Sequence, residues 1–359
     1  MAYISFQPQS YFHTMIYSGD GAATSARTWP GTPTMQPDML WLKKYSATQN
    51  NYLSDSGRGV SKQYFSNSNA GESTEVNQVK SYDSDGFTLG SDNTNSSGSD
   101  YAAWGWKGAG GTETTDSSAD ITVYRQTNVD QGISIIRYTG NNSTNQTFAH
   151  GLGAKPDFFF IKKSSGTAQW VQWHKAFGDS DAEGGAACQN DGWDGTPSTT
   201  TYTNCMYGTQ PDSTRIFVTD DNTVNGTGDY MCYAFRGIKG FSQFGKYSTT
   251  NNTDGPLIYT GFRPALIVCV KYWTGSAYDT ASWGHYDDKR DGYNVNPNAL
   301  QAQSDLGTQT GNGQMDFLSN GFKLRTTDGG MNGSGMTGLY IAFAKFPFVS
   351  SNSIPTTAV

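Results

Sequence analysis

An internal repetition constrains this chain more than any local motif, because recurrence at domain spacing fixes the architecture before residue chemistry is considered. One phrase, a proline followed by an apolar strand and a lysine, occurs three times. It reads Pro37-Asp38-Met39-Leu40-Trp41-Leu42-Lys43-Lys44, then Pro156-Asp157-Phe158-Phe159-Phe160-Ile161-Lys162-Lys163, then Pro264-Ala265-Leu266-Ile267-Val268-Cys269-Val270-Lys271. A second phrase closes each copy with an aromatic strand and then a final apolar strand. Gly86-Phe87-Thr88-Leu89 precedes Tyr101-Ala102-Ala103-Trp104-Gly105-Trp106, and Arg215-Ile216-Phe217-Val218 precedes Tyr230-Met231-Cys232-Tyr233-Ala234-Phe235. In the third copy Gly321-Phe322-Lys323-Leu324 precedes Tyr340-Ile341-Ala342-Phe343-Ala344-Lys345-Phe346. Each proline phrase follows a Tyr-x-Gly turn, at Tyr17, Tyr138 and Tyr259, with the third turn closer to its proline than the others. The phrases recur about every 110 to 130 residues, which is domain-sized and too long for a solenoid.

Three tandem modules follow from this order, over residues 11–107, 132–239 and 240–348. Residues 1–10 read as a docking arm, the Gly-rich polar stretch 108–131 as a linker, and 349–359 as a tail. Almost nothing separates the second module from the third, so those two should pack rigidly. The 43 glycines and the abundant Ser, Thr and Asn supply many turns between short strands, since Gly adopts positive φ and Asn and Asp bond to their own backbone. The predicted fold class is all-β: tandem antiparallel β-sandwich modules of jelly-roll or lectin-like type, in three pseudo-repeats. The one helical hint is residues 72–80, where Val76 and Val79 are three apart. A core is expected around Trp41, Phe87, Trp104, Phe159, Phe217, Tyr230, Phe235, Ile267, Phe322, Tyr340 and Phe343. A sandwich strand with one wet face should alternate, yet residues 158–161, 265–270 and 339–343 are apolar throughout. Their outer faces need a cover: a neighbouring module, a long loop such as residues 178–211, another protein, or a mixture that includes subunit contacts.

A formal net charge of −7 with no Lys/Arg cluster removes the electrostatic footprint that nucleic-acid binding requires. No apolar run reaches the length of a bilayer span, and the first residues have neither the basic start nor the apolar core of a cleavable signal. The four cysteines form no CxxC pair and the four histidines are scattered, so no zinc site, and no other cofactor, is expected. Cys232 and Cys269 lie in apolar strands as small buried hydrophobes; the spacing of Cys188 and Cys205 leaves their pairing open.

Candidates for chemistry are thin. No hydrolase nucleophile elbow and no phosphate-binding loop is present. Asp179, Asp181 and Glu183, or Asp287, Asp288 and Asp291, are the first suspects for a glycosidase carboxylate pair, with solvated loop acids as the ordinary explanation. The run Asp220-Asp221-Asn222-Thr223-Val224-Asn225-Gly226 looks like a calcium loop, but Val224 stands where an oxygen ligand belongs, so a polar hairpin tip is the better reading. Trp170, Trp173, Trp273, Tyr278 and Trp283 lie near strand ends, where aromatics either complete a core, the default, or stack against sugar rings. His150 reads as bonding to backbone, and His285 is ambiguous.

These phrases resemble the repeated β modules of tail-fibre and other virion-associated proteins of tailed bacteriophages, particularly marine ones. The resemblance rests on Gln36-Pro37-Asp38-Met39-Leu40-Trp41-Leu42-Lys43, Asp83-Ser84-Asp85-Gly86-Phe87-Thr88-Leu89-Gly90-Ser91, Ala103-Trp104-Gly105-Trp106-Lys107 and His150-Gly151-Leu152-Gly153. In the third module it rests on residues 254–264, Arg290-Asp291-Gly292-Tyr293-Asn294, residues 318–325 and residues 342–348. It implies a non-enzymatic structural component of a virion, assembled in the host cytoplasm. Such a component would be a surface appendage such as a tail-side protein, head decoration or knob, with other virion proteins and further copies of itself as partners. Host surface glycans are a further expected partner if the chain is an adhesin, and a substrate if it is a polysaccharide depolymerase. No collagen-like or heptad shaft accompanies the modules.

Overall fold

The computed structural model describes residues 4–177, 187–193, 199–273 and 283–347. Within them the first module holds β1 (Phe12–Ser18), β2 (Ser25–Thr28), β3 (Met39–Lys44), β4 (Asn51–Asp55), β5 (Lys62–Phe65), β6 (Ser73–Thr74), β7 (Val79–Asp83), β8 (Gly86–Leu89) and β9 (Asp100–Trp106). Its large sheet runs β1-β9-β3-β4-β5-β6, and β2-β8-β7 form a small second layer. The second module holds β10 (Thr114–Asp116), β11 (Val123–Asn128), β12 (Ile133–Gly140), β13 (Gln146–Ala149), β14 (Phe158–Lys163), β15 (Trp170–His174), β16 (Cys188–Asn190), α1 (Thr199–Met206), β17 (Arg215–Val218) and β18 (Gly228–Phe235). Here the large sheet is β10-β11-β12-β18-β14-β15-β16, under the pair β13-β17. The third holds β19 (Ser242–Ser248), β20 (Leu257–Tyr259), β21 (Phe262–Trp273), β22 (Gly284–Asp287), β23 (Asn296–Gln301), β24 (Gln309–Leu318), β25 (Gly321–Leu324) and β26 (Thr337–Pro347), in the continuous order β19-β26-β21-β22-β23-β24-β25-β20.

One four-strand order, first-last-opening-next, therefore recurs as β1-β9-β3-β4, β12-β18-β14-β15 and β19-β26-β21-β22, all antiparallel. The pairing register aligns the copies residue by residue. Met39 opposes Trp106 as Phe158 opposes Phe235 and Leu266 opposes Phe343; Trp41 opposes Trp104 as Phe160 opposes Tyr233 and Val268 opposes Ile341. Because side chains alternate along a strand, these residues share one face, and Leu40, Phe159 and Ile267 point the other way. The second set packs under the small layer in the first two modules and under β20, β24 and β25 in the third, and forms a separate core in each module.

The first set answers the question of the cover. A single buried cluster collects Met39, Trp41 and Trp106 with Phe158, Phe160 and Phe235, and with Leu266, Val268 and Phe343. The three equivalent rings of Trp106, Phe235 and Phe343 touch one another, with centroids 6.5, 5.9 and 5.5 Å apart, so the modules surround a pseudo-threefold axis. Trp193, from the long loop of the second module, is wedged into the same cluster against Trp41 at 4.8 Å and Phe160 at 4.7 Å. Uncovered apolar sheet faces were the reason to expect a homo-oligomer, and no such faces are left over on these strands. Those faces are already buried against each other within one chain, because each side chain moved from water into this cluster contributes roughly 1.5 to 3 kcal/mol.

Polar contacts cross all three module boundaries. Tyr233 donates to the Asp55 carboxylate of the first module at 2.5 Å; a ring nitrogen of His174 in the second lies 3.3 Å from the carbonyl of Tyr340 in the third; Thr14 of the first donates to Asp288 of the third at 2.8 Å. Two equivalent lysines act as rivets. Lys162 donates to the carbonyls of Asn69, across the module boundary, and Ala168; Lys43 donates across a boundary to Asp305 at 2.9 Å and also to Gln49. Burial pushes the ammonium of Lys43 down to about 8 and that of Lys162 to about 7. Val270 holds this register position in the third copy.

Several expectations change. Residues 114–128 are not free linker: β10 and β11 extend the second large sheet, and the Asp38 carboxylate accepts from the backbone N–H groups of Gly108, Gly110 and Gly111 at 2.7–2.8 Å. From residue 4 on, the N-terminal arm is a strap on the chain's own third module, where Phe6 meets Phe241 at 5.3 Å, and Pro8 is buried. The helical hint at 72–80 is instead β6 and the start of β7. Phe217 is half-buried; Ile216 pairs with Phe148 as Phe87 pairs with Arg27 and Phe322 with Ile258, so Ile216 holds the inward position and its neighbour faces away. The other expected core residues are all buried. Tyr259 is not the counterpart of Tyr17 and Tyr138. Those two lie on first strands opposite Tyr101 and Tyr230, whereas Tyr247 holds that place on β19, opposite Gly338, and Tyr259 ends β20. Residues 349–359 lie outside the described residues.

Phe158→Ala opens a void in the shared cluster and should cost about 3–5 kcal/mol, as should Phe322→Ala in the third module's own core. Because the shared cluster couples the modules, calorimetry should record one cooperative transition shifted downward in both variants. Separate melting of a module would show that the shared cluster does not link them.

Candidate functional site

The sequence-derived glycan candidates do not form a surface. Trp170 and Trp283 sit in the shared cluster and Trp173 in the second module's core, stacked on Phe159 at 5.4 Å, and none of the three is more than 1% exposed. A ring packed on both faces has no face left for a sugar, so these three take the core role. Tyr278 and the side chain of Trp273 lie outside the described residues.

The carboxylate suspects that can be placed are engaged. Asp287 accepts from Arg290 Nε at 2.6 Å and caps its backbone N–H; Asp288 pairs with Lys345 and accepts from Thr14; Asp291 accepts from Asn298. Asp179, Asp181 and Glu183 lie outside the described residues. In the calcium-like run, Val224 is buried, and the Asp221 carbonyl accepts from the N–H groups of Val224, Asn225 and Gly226, a self-closed turn. Among the described residues no group of three His, Cys, Asp or Glu side chains is placed to hold a metal ion, and no helix is long and apolar enough to cross a membrane. Cys188 and Cys205 are buried free thiols, as are Cys232 and Cys269.

The histidines serve packing. His150 Nδ1 accepts from Leu152 N–H at 3.2 Å with Asp212 O near Nε2, and His174 Nδ1 accepts from Ala176 N–H. His285 stands between the rings of Trp41 and Trp104 at 4.5 and 5.1 Å, and neither of its ring nitrogens has a hydrogen-bond partner among the described residues. Burial pushes His150 down to about 4, and His174 and His285 to about 3.

Where the first and second modules meet, the surface opens into a cleft of about 420 Å³. One wall carries Tyr124, exposed at a loop-facing position of β11, with the Arg137 guanidinium 4.0 Å above its ring; Arg137 also donates to both oxygens of Glu113 at 2.8 and 2.7 Å. The opposite wall carries Arg58, whose side chain is 5% exposed, lies 3.7 Å over Tyr64 and is held by Asp55 at 2.6 Å. Its Nη1 makes no hydrogen bond among the described residues, and the nearest carboxylate oxygen is that of Glu72 at 3.6 Å. The floor holds Asp229, which accepts from Thr139 at 2.7 Å and donates its N–H to Ser165 at 3.0 Å, together with Ser164, hydrogen-bonded to Tyr64. Donors, acceptors and one aromatic face thus converge, with each cation paired to an acid, so the cleft is polar without a strong field. The sequence signal for it was slight: isolated polar residues in strands of two different modules become neighbours only when those modules dock.

A family described as a domain of unknown function, DUF7483, matches residues 7–347. The chain belongs to the DUF7483 family. The match spans all three modules, as expected of a unit whose modules share a core. Neither the curated proteins nor the solved structures contain a match to this chain.

Three of the four buried histidines, His150, His174 and His285, give this family member a defined acid response. Each is neutral when folded and takes up a proton near pH 6.5 when unfolded, so its contribution is constant above that value and stability falls as pH drops from 6.5 toward 3–4. Three such groups imply a loss of roughly 4 kcal/mol per pH unit between about pH 6 and 4. Denaturant titrations across this range should show that slope, reduced by about a third in His285→Leu; a flat profile would show that these rings are not held neutral.

Proposed function

We propose that this chain is a non-enzymatic structural component of a bacteriophage virion, a compact surface appendage. The observation that supports this reading most directly is the shared core of Trp106, Phe235 and Phe343 with their neighbours, which makes three sandwiches one block. A block with buried cysteines, packed histidines and ion-paired acids suits load-bearing or display, and the opening and closing phrases resemble those of virion-associated modules. Its partners in this reading are other virion proteins, met through loops and strand edges, since the flat sheet faces are already used.

A second reading, a glycan-binding adhesin on the same particle, is favoured by the polar cleft between the first two modules. Both readings place the chain on the particle, and mass spectrometry of gradient-purified virions tests that placement. The chain is expected at a fixed copy number per particle. Its presence in infected cells together with its absence from intact virions would remove both.

A further inference from the structure

We infer that the cleft between the first and second modules is a binding site for a short neutral saccharide, one or two rings long; this deepens the adhesin reading and rests on it. Comparison of the copies shows what differs at the junction where the cleft lies. The opening-strand lysine is followed by tyrosine in the first and third copies, Lys44-Tyr45 and Lys271-Tyr272, but by serine in the second, Lys163-Ser164. Around it the copies agree closely. Ser18 donates to Asp100 as Thr139 donates to Asp229, and the N–H groups of Asp100 and Asp229 donate to Ser46 and Ser165. The arginine facing this position is repeated as well. Arg58 donates to Asp55 and to the carbonyl of Leu53 as Arg290 donates to Asp287 and to that of His285. At the junction of the third and first modules, Tyr45 packs on the shared cluster within electrostatic reach of Arg290 and Asp287. At the junction of the first and second, the smaller Ser164 bonds to the buried Tyr64, and it lines the cleft.

A second exchange furnishes the rim: the half-exposed Ile16 of the first module is replaced at the same register position by Arg137, which backs the ring of Tyr124. Junctions between packed units are where small-molecule sites tend to form, and the volume lies within the usual range for one. The chemistry selects the ligand. An aromatic face suits the C–H face of a pyranose, while the Glu72 and Asp229 carboxylates and the hydroxyls of Thr139 and Ser164 suit its hydroxyl groups. Arg58 lines the cleft, and its Nη1 makes no hydrogen bond among the described residues. Pairing of both arginines with acids argues against a strongly anionic ligand.

Calorimetric titration of the full chain with maltose, cellobiose, lactose and N,N′-diacetylchitobiose, with digalacturonate as the charged control, tests this. At least one neutral disaccharide should bind, and Ser164→Tyr, which restores the residue of the other copies, should weaken it at least about tenfold, or 1.4 kcal/mol, without lowering the melting temperature. Tyr124→Ala, at an exposed position, should weaken it similarly and decides the matter if Ser164→Tyr does not fold. No binding of any neutral disaccharide, or preference for digalacturonate, overturns the inference. Neutral-sugar binding that is unchanged in both variants also overturns it, while leaving an adhesin that binds elsewhere.

Discussion

Three aromatic side chains from corresponding strand positions, Trp106, Phe235 and Phe343, meet on the axis of this molecule, and the remaining architecture is arranged so that they can. Each belongs to a sheet whose opposite face already has its own core under a small second layer. A sheet apolar on both faces cannot stand alone in water, and the three solve the problem for one another. The result is closer to a trimer written into a single polypeptide than to beads on a string. Polar contacts cross each of the three boundaries as well.

The three copies show which features of the module recur and which differ. The aspartate of the Pro-Asp phrase accepts from glycine N–H groups just beyond the final strand, at Asp38 with Gly108 and at Asp157 with Gly237, and so fixes the chain's exit from two modules. The third copy has Ala265 there. Gly105, between two tryptophans, is held by packing: a Cβ would lie 2.5 Å from the ring of Trp29. Divergence concentrates at the junctions, where Tyr45 and Ser164, or Ile16 and Arg137, stand at matched positions. A pseudo-symmetric assembly in one chain can alter one junction without altering the others, which a true homotrimer cannot do.

Much of the fold was legible in the sequence because it depends on local periodicity. The strand phrases, their order and the unusual absence of alternation at residues 158–161 all carried through, and that absence pointed to a covered outer face. What was illegible concerned direction and partners. Trp170, Trp173 and Trp283 could be recognised as strand-end aromatics, but whether a strand end faces water or another module depends on docking. Trp193, alone in a polar Gly- and Asp-rich loop, was the overlooked member of the shared cluster; an isolated large aromatic in such a loop was the available signal. Phe217 and Ile216 differ by one residue, and a period of two sends neighbours to opposite faces.

The sequence by itself determined the all-β class, the recurring strand phrases and their order, because these follow from spacing and composition along the chain. Only the tertiary structure decided that the apolar faces cover each other within one molecule, that residues 114–128 complete a sheet, and that a cleft opens at one junction. Those outcomes depend on distances between residues about a hundred positions apart, such as Tyr64 and Ser164, which no local pattern encodes until the modules close around their common axis.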